Sequence, residues 1–391
     1  MQLPAAIHPF ILKLAARCNL DCSYCYVYNQ ADTGWRSRPK LMSQTVFDAT
    51  VARIRRHCRA SGQRSALVLF HGGEPTLIGP ARFAHYCMQL RQALHGEVEV
   101  VPAIQTNGVL LDDAWADVLA EHDVQVGVSL DGPAAVNDSA RLDHHGRGSH
   151  AAVLRGLESL RRRGLDFTLL CVIRLGSDPV VVHRHLLAQG PKEISYLLPA
   201  ESREAVAALR ARFGPTPCAD FLIPIFDAWW FEGDIDQPIR EFWNMARVIM
   251  GGQSRLDSIG NPPLCFVAVE TDGAMEGLDK LRICEDGLTA TGLNVLDADF
   301  SDIAAHSPFH RAAMAGPPLP TDCASCPEAL TCAGGYLPHR YMESAGFDHS
   351  SAWCADLLKL FSHVRLRMAI GPAETLQRRR ALRAERAPVP A

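Results

Sequence analysis

The chain has 391 residues, 48% of them hydrophobic, and carries 39 basic and 43 acidic side chains for a net charge of −4. That length exceeds the ~250–300 residues at which single cores stop growing, so one large core and a smaller companion are expected. The balanced charge excludes a general attraction to nucleic acid or membrane, and neither a secretory signal before Pro9 nor a run near the ~18 apolar residues of a membrane span is visible.

A cytoplasmic protein is therefore expected, and its thirteen cysteines need a reason. Disulfides are rare in that compartment, so metal or redox chemistry is the better default.

The apolar run Phe10-Ile11-Leu12-Lys13-Leu14 predicts a first strand that leads straight into Cys18. Ser43 is a plausible N-cap for a helix with Phe47, Val51, Ile54 and Cys58 on one face. Ala66 to Phe70 reads as a buried strand, followed by a helix with Phe83, Cys87, Leu90 and Leu94 in a stripe. The alternation continues with strands expected over 98–104, 124–129, 167–173 and 194–198, and helices over 112–122, 150–163, 179–189 and 202–213.

Six strand–helix units in series predict an α/β fold with a parallel sheet and crossover helices, either doubly wound or a partial barrel. Four unusual loops end successive strands: the first cysteines, Gly72-Gly73-Glu74-Pro75, Gln105-Thr106-Asn107-Gly108, and Ser129-Leu130-Asp131-Gly132-Pro133. Barrels of this kind carry their chemistry at the carboxyl ends of strands, so four loops in register suggest one site.

Residues 217–250 look helical, and Phe221, Ile225, Phe226, Trp229, Trp230 and Phe242 are read as core. Gly251 to Pro263 is turn-rich, and Leu264 to about Phe361 is irregular with six cysteines, as in a small fold held by metal. Arg378, Arg379, Arg380, Arg383 and Arg386 read as a solvated helical tail. Cys58, Cys87, Cys171 and Cys218 fall on core stripes.

The first cluster reads Cys18-Asn19-Leu20-Asp21-Cys22-Ser23-Tyr24-Cys25. One loop with these spacings can present three thiolates to three irons of a cubane. The fourth iron then lacks a protein ligand, which is an open coordination site of catalytic type. The plainer alternative is a zinc knuckle that borrows a distant ligand. The second set is Cys323-x2-Cys326-x5-Cys332 with Cys354 downstream. Four thiolates suit either a further [4Fe-4S] cluster or a structural zinc, and spacing does not separate the two.

The first cluster, followed in order by Gly72 to Pro75 and by Gln105 to Gly108, resembles the radical S-adenosylmethionine (SAM) signature. The resemblance implies a partial (β/α)6 barrel and a small SPASM-type iron–sulfur domain. The expected boundaries are 1–215 for the barrel, 216–260 for a helical linker region, 261–365 for the cysteine-rich domain and 366–391 for the tail. Cys18, Cys22 and Cys25 would hold the SAM-binding [4Fe-4S] cluster. Gly72, Gly73 and Glu74 would bind the methionine amino group. Gln105, Asn107, Ser129 and Asp131 lie where the family contacts ribose and carboxylate. Tyr24 would lie against adenine, and Arg141 would pair with the SAM carboxylate, a task that suits a bidentate guanidinium.

The second set resembles the SPASM extension of peptide maturases, with Cys323, Cys326, Cys332 and Cys354 on one auxiliary [4Fe-4S] cluster. The family pattern has a further cysteine where this chain has Tyr336, so a second auxiliary cluster lacks a ligand. Cys265 and Cys284 are the remaining candidates, and two thiols do not make a convincing cubane site.

The stretches around Lys13 to Cys22, Val269 to Gly273 and Gly334 to Tyr341 are similar to the FxsB-like maturases, which form three-residue cyclophanes in ribosomally made peptides. That resemblance implies abstraction of a Cβ hydrogen, joining of that carbon to an aromatic ring, an external one-electron reductant and a precursor peptide as partner. Because the first strand starts near Phe10, leader recognition is expected to use the body of the enzyme or a separate leader-binding protein; an exposed sheet edge can read an extended peptide. Glu270 and Asp272, at the start of a hairpin-like segment, are the candidate proton acceptors, with turn capping as the plainer alternative. Tyr336, His339 and Arg340 are further candidates for the site, Arg340 alternatively as an ion-pair partner. The competing readings are a formylglycine-generating sulfatase maturase and a non-catalytic iron–sulfur or zinc protein that binds a partner.

Overall fold

The computed structural model describes residues 6–232 and 236–385. Its strands are β1 (Phe10–Ala15), β2 (Ser65–Gly72), β3 (Glu99–Thr106), β4 (Gln125–Ser129), β5 (Phe167–Val172), β6 (Glu193–Leu197), β7 (Val267–Val269), β8 (Ala274–Glu276) and β9 (Ala290–Asn294). The helices are α1 (Gln44–Ser61), α2 (Pro80–Leu94), α3 (Asp113–Glu121), α4 (Ala134–Asn137), α5 (His150–Arg162), α6 (Pro179–Leu187), α7 (Arg203–Phe213), α8 (Pro217–Phe231), α9 (Arg240–Ile249), α10 (Ile303–His306), α11 (Pro308–Ala315), α12 (Cys354–Met368) and α13 (Pro372–Glu385). The chain clusters into two units. One comprises Met1–Cys171, His185–Lys192 and Leu264–Ala315; the other comprises Val172–Arg184, Glu193–Pro263 and Gly316–Ala391.

Local chemistry sets the element boundaries of the first unit. Ser43 caps α1 by accepting from the Val46 N–H at 3.2 Å, and Gly62 ends the helix in the left-handed region at φ 71°. Asp112 caps α3 by accepting from the Trp115 N–H at 2.9 Å. In β2 every second residue is buried, and Phe70 meets Phe83 of α2, which in turn meets Trp115 of α3. Those three rings, with Phe10, Leu12 and Leu14, form much of the core between sheet and helices.

The strands of this unit run in the order β5-β4-β3-β2-β1-β7-β8-β9. Strands β1 to β5 pair in parallel through the predicted crossovers. This is the α/β fold with a parallel-strand sheet expected from the alternation, consistent with a partial barrel. The sequence pattern did not show how the sheet continues past β1. Val267 to Val269, from the irregular segment, pairs in parallel with Phe10 to Leu12. A hairpin then adds β8 and β9 antiparallel. Residues 264–315 thus extend the sheet that carries the first cysteines, and the second cysteine set lies in the other unit.

The second unit is built on α7, α8, α9 and α12. Phe226, Trp229 and Phe242 are buried with ring centroids 5.1 to 5.6 Å apart, so the aromatic helix is core. Asp356 of α12 caps α8 by accepting from the Cys218 and Ala219 N–H groups at 2.7 and 3.1 Å. Arg378 pairs with Glu374 one turn earlier, and Arg379 donates to the Leu330 carbonyl at 2.7 Å. Arg386 and the side chain of Arg383 lie outside the described residues. Cys58, Cys87, Cys171 and Cys218 are all buried.

Candidate active site

The cysteine loop is stitched on both sides by backbone hydrogen bonds. Gly73 and Glu74 donate to the Ala15 and Arg17 carbonyls at 2.7 and 2.9 Å, which ties the loop after β2 to the approach to Cys18. Asp21 and Ser23 donate to the Leu142 and Ala140 carbonyls at 2.8 and 3.0 Å, which brings Arg141 against Tyr24 and Cys22. Asn107, after β3, donates from its amide to Asn19 Oδ1 at 2.7 Å and to Cys18 Sγ at 3.6 Å. Three loops from β1, β2 and β3 and the segment after β4 therefore converge on one place.

Cys18, Cys22 and Cys25 are unbridged and half-buried. Burial pushes Cys18 up to about 12, helped by the Glu74 carboxylate, and Cys22 up to about 11 against the opposing Arg141. Thiolates are costly here unless a cation is bound. Iron would supply that charge, and the three thiols on one loop fit three corners of a [4Fe-4S] cluster.

Glu74 is buried and turned inward. Its Oε1 accepts from the Thr76 N–H at 2.9 Å and the Thr76 and Thr106 hydroxyls at 2.5 and 2.7 Å, and its Oε2 accepts from the Asn107 N–H at 2.7 Å. This carboxylate joins the loops after β2 and β3. A Cβ at Gly73 would stand 1.8 Å from the Tyr28 hydroxyl and 2.3 Å from the Arg17 carbonyl, so only glycine fits.

Gln105 donates to the Ser129 hydroxyl at 3.1 Å. Tyr24 donates to Asp131 at 2.5 Å and accepts from Arg141 at 2.8 Å. Every predicted SAM-contact residue thus lies on this one convergence of loops. The buried Arg141 keeps its Nε without a partner, a donor suited to a ligand carboxylate. These residues fit SAM beside the cluster.

Glu270 and Asp272 sit at the β7–β8 turn in different surroundings. Glu270 is buried, accepts from Arg282 at 2.9 Å and faces Arg38 at 3.3 Å. Burial and then the neighbouring Glu276 raise its carboxyl above the usual range. Asp272 is more exposed, caps the turn by accepting from the Ala274 N–H at 3.0 Å, and lies 3.6 Å from Arg38. Buried Arg282 also pairs with Asp32 at 2.6 Å and with Glu276.

Sequence reasoning missed a second buried group. Asp279 accepts from both Lys13 and Tyr26 at 2.7 Å, and Lys13 lies 3.4 Å from His71 Nδ1. Burial alone would raise Asp279, but the Lys13 ammonium holds it well below the usual carboxylate range. The signal available in the sequence was Lys13 itself, a charge inside an apolar strand that demands a partner.

In the second unit Cys323, Cys326, Cys332 and Cys354 line one cavity, together with Gly334, Ser350 and Ser351. Four unbridged thiols around a common space fit one iron–sulfur cluster. Burial pushes Cys332 up to about 12, and the neighbouring Cys354 and Cys323 add to that. Tyr336 is buried, edge-on to His339 at 5.4 Å, and Arg340 is fully buried. In the first unit Cys265 donates from Sγ to the Met314 carbonyl at 3.4 Å, and Cys284 is half-buried.

The parallel α/β unit thus brings three thiols and an unpartnered arginine donor together at its strand ends. Residues 12–179 match the family model described as the Radical SAM superfamily. The cysteine-type anaerobic sulfatase-maturating enzyme of Clostridium perfringens is 26% identical over 335 residues, covering 83% of this chain and 87% of that protein. The structure of native anSMEcpe with bound AdoMet and the Kp18Cys peptide matches with a TM-score of 0.79 at 22% identity, over 92% of this chain and 98% of that one. Streptococcus suis SuiB bound to precursor peptide SuiA matches with a TM-score of 0.55 at 14% identity, over 90% and 76%. No helix among the described residues is long and apolar enough to cross a membrane.

Proposed function

We propose that this enzyme is a peptide maturase that abstracts a Cβ hydrogen from a ribosomally made precursor peptide and joins that carbon to an aromatic ring. Relatives named for sulfatase maturation, and solved neighbours holding the Kp18Cys and SuiA peptides, support a peptide substrate. The observation that carries the finer reading is in the second unit. Four cysteines share one cavity there, and the position of a further family cysteine is the buried Tyr336. One auxiliary cluster suits a reaction that ends with the loss of one electron and one proton.

Cys18, Cys22 and Cys25 would hold the cluster that, when reduced, gives SAM the electron from which a primary carbon radical able to break a Cβ–H bond is generated. Cys323, Cys326, Cys332 and Cys354 would hold a one-electron acceptor. Gly72, Gly73, Arg141, Gln105, Asn107, Ser129, Asp131 and Tyr24 bind and orient SAM. Glu270 accepts the proton from the ring, since a carboxyl raised by burial is suited to taking a proton near neutral pH; Asp272 is the second candidate. The required partners are an external reductant and the precursor peptide, with a separate leader-binding protein as a further candidate.

The competing reading is a sulfatase maturase, favoured by the 26% identity that extends over 83% of the chain. Co-expression with a neighbouring short peptide that carries an aromatic residue two positions before a polar one decides between them. The expected product has lost two hydrogens per crosslink by mass spectrometry, with fragmentation blocked between the joined residues. An unmodified precursor, together with conversion of a sulfatase peptide to formylglycine, would sink the cyclophane reading.

A further inference from the structure

Arg340 is a buried cation without a carboxylate. It is 1% exposed, and its hydrogen bonds all go to uncharged oxygens. Nε and Nη2 donate to the Gly335 carbonyl at 3.1 and 2.7 Å, Nη2 also to Ala333 O at 2.8 Å and Asn261 Oδ1 at 2.9 Å, and Nη1 to Pro318 O at 3.1 Å. Burial lowers the guanidinium to about 10, which leaves it charged at neutral pH, and the opposing influences come from Cys332 and then Cys323. Carbonyls satisfy the donors but supply no counter-charge, and a buried charge is costly unless paired.

The backbone beside it is wound in an unusual way. Ala333, Gly334 and Gly335 have φ of 52°, 88° and 71°, three successive left-handed residues, and Ala333 adopts this at a cost that glycine avoids. With the Ala333 and Gly335 carbonyls turned to Arg340, the Gly334 N–H favours the Cys332 thiolate. A Cβ at Gly334 would stand 3.0 Å from the guanidinium carbon, so arginine and cavity wall are in contact through this glycine.

We propose that Arg340 is the counter-cation of the auxiliary cluster, and that it sets the cluster's reduction potential by its charge and by holding the Gly334 N–H toward Cys332. The proposal rests on the reading that the four cysteines hold a [4Fe-4S] group. Such a group with four thiolates is doubly negative when oxidised and triply negative after gaining one electron. A fixed positive charge and an N–H donor at one sulfur both favour the reduced state and raise the potential. Arg340 is thus a positioning and tuning residue for the step in which the substrate loses its last electron.

The test uses the reconstituted full chain and follows the cluster signal that is insensitive to added SAM in an EPR-monitored redox titration. Arg340→Gln should lower the midpoint by at least about 59 mV, a tenfold change in the one-electron equilibrium. Arg340→Lys, which keeps the charge, should lower it less. Selective loss of the auxiliary irons in Gln but not in Lys also supports the proposal, because charge is what distinguishes the two. An unchanged potential in a fully loaded Gln variant, or equal iron loss in both variants with equal falls in Tm, overturns it. Iron analysis of the wild-type chain separates this from the underlying reading, since about four rather than about eight irons would remove the auxiliary cluster itself.

Discussion

The backbone N–H of Asn107 donates to Glu74 Oε2 at 2.7 Å, and this bond joins the loops after β2 and β3 beside the three-cysteine loop. Because Oε1 takes three further donors, no face of Glu74 tolerates an amide. Glu74→Gln must turn an NH2 group toward a donor, at a cost of about 1–3 kcal/mol. SAM binding by equilibrium dialysis should weaken on the order of tenfold, with a lowered Tm.

Gly73 is the tighter constraint. Gly73→Ala brings a methyl against both the Tyr28 hydroxyl and the Arg17 carbonyl. Overpacking of this kind costs about 1–3 kcal/mol. Adding Tyr28→Phe should not restore SAM binding, because the backbone carbonyl of Arg17 remains in place.

The Lys13–Asp279 pair is buried on both sides, with side chains 4% and 14% exposed. Lys13→Met leaves Asp279 without its cation and should destabilise the fold by about 3–5 kcal/mol in urea unfolding. Asp279 has a lowered native pKa, so the pair's contribution is complete above the ordinary carboxylate value of about 3.9 and is lost as pH falls through the native value. In Lys13→Met this acid loss should be much smaller.

His71 gives a separate window. Burial and then the Lys13 ammonium pull it from 6.5 down to about 3. Between those values the unfolded chain binds the proton and the native chain does not, so stability rises with pH by up to about 1.4 kcal/mol per unit. His71→Gln should flatten the stability profile between about pH 3 and 6.5, measured by chemical denaturation at successive pH values.

If the two cysteine sets hold separate clusters as proposed, Cys332→Ala should reduce iron from about eight to about four per chain while leaving reductive SAM cleavage in place. Loss of SAM cleavage together with the auxiliary iron would show that the sets are not independent.

Much of the site was legible because its parts are local. Cys18, Cys22 and Cys25 lie on one loop, and Gly72 to Glu74 and Gln105 to Asn107 each follow an apolar strand directly. Strand alternation and the Ser43 and Asp112 caps are likewise written within a few residues. Glu270 and Asp272 were legible only as carboxylates at a turn. Their division into a buried group paired with Arg282 and a turn cap depends on Arg38 and Arg282, which the turn does not contain. Arg340 was open to reading as an ion-pair partner, and among the described residues its neighbours are carbonyls, an asparagine amide and the thiols of Cys323 and Cys332.

The sequence by itself determined the parallel α/β order and the three-cysteine loop with the strand-end loops that meet it, because hydrophobic period, caps and ligand spacing act within a turn or a strand. Only the tertiary structure decided that β7 joins β1, that Lys13 meets Asp279 across 266 residues, and that Arg340 stands behind Gly334 at the cysteine cavity. The physical reason is that a buried charge takes whichever partner the fold brings within a few ångströms, and that approach is set by the packing of sheets and loops, on which sequence spacing is silent.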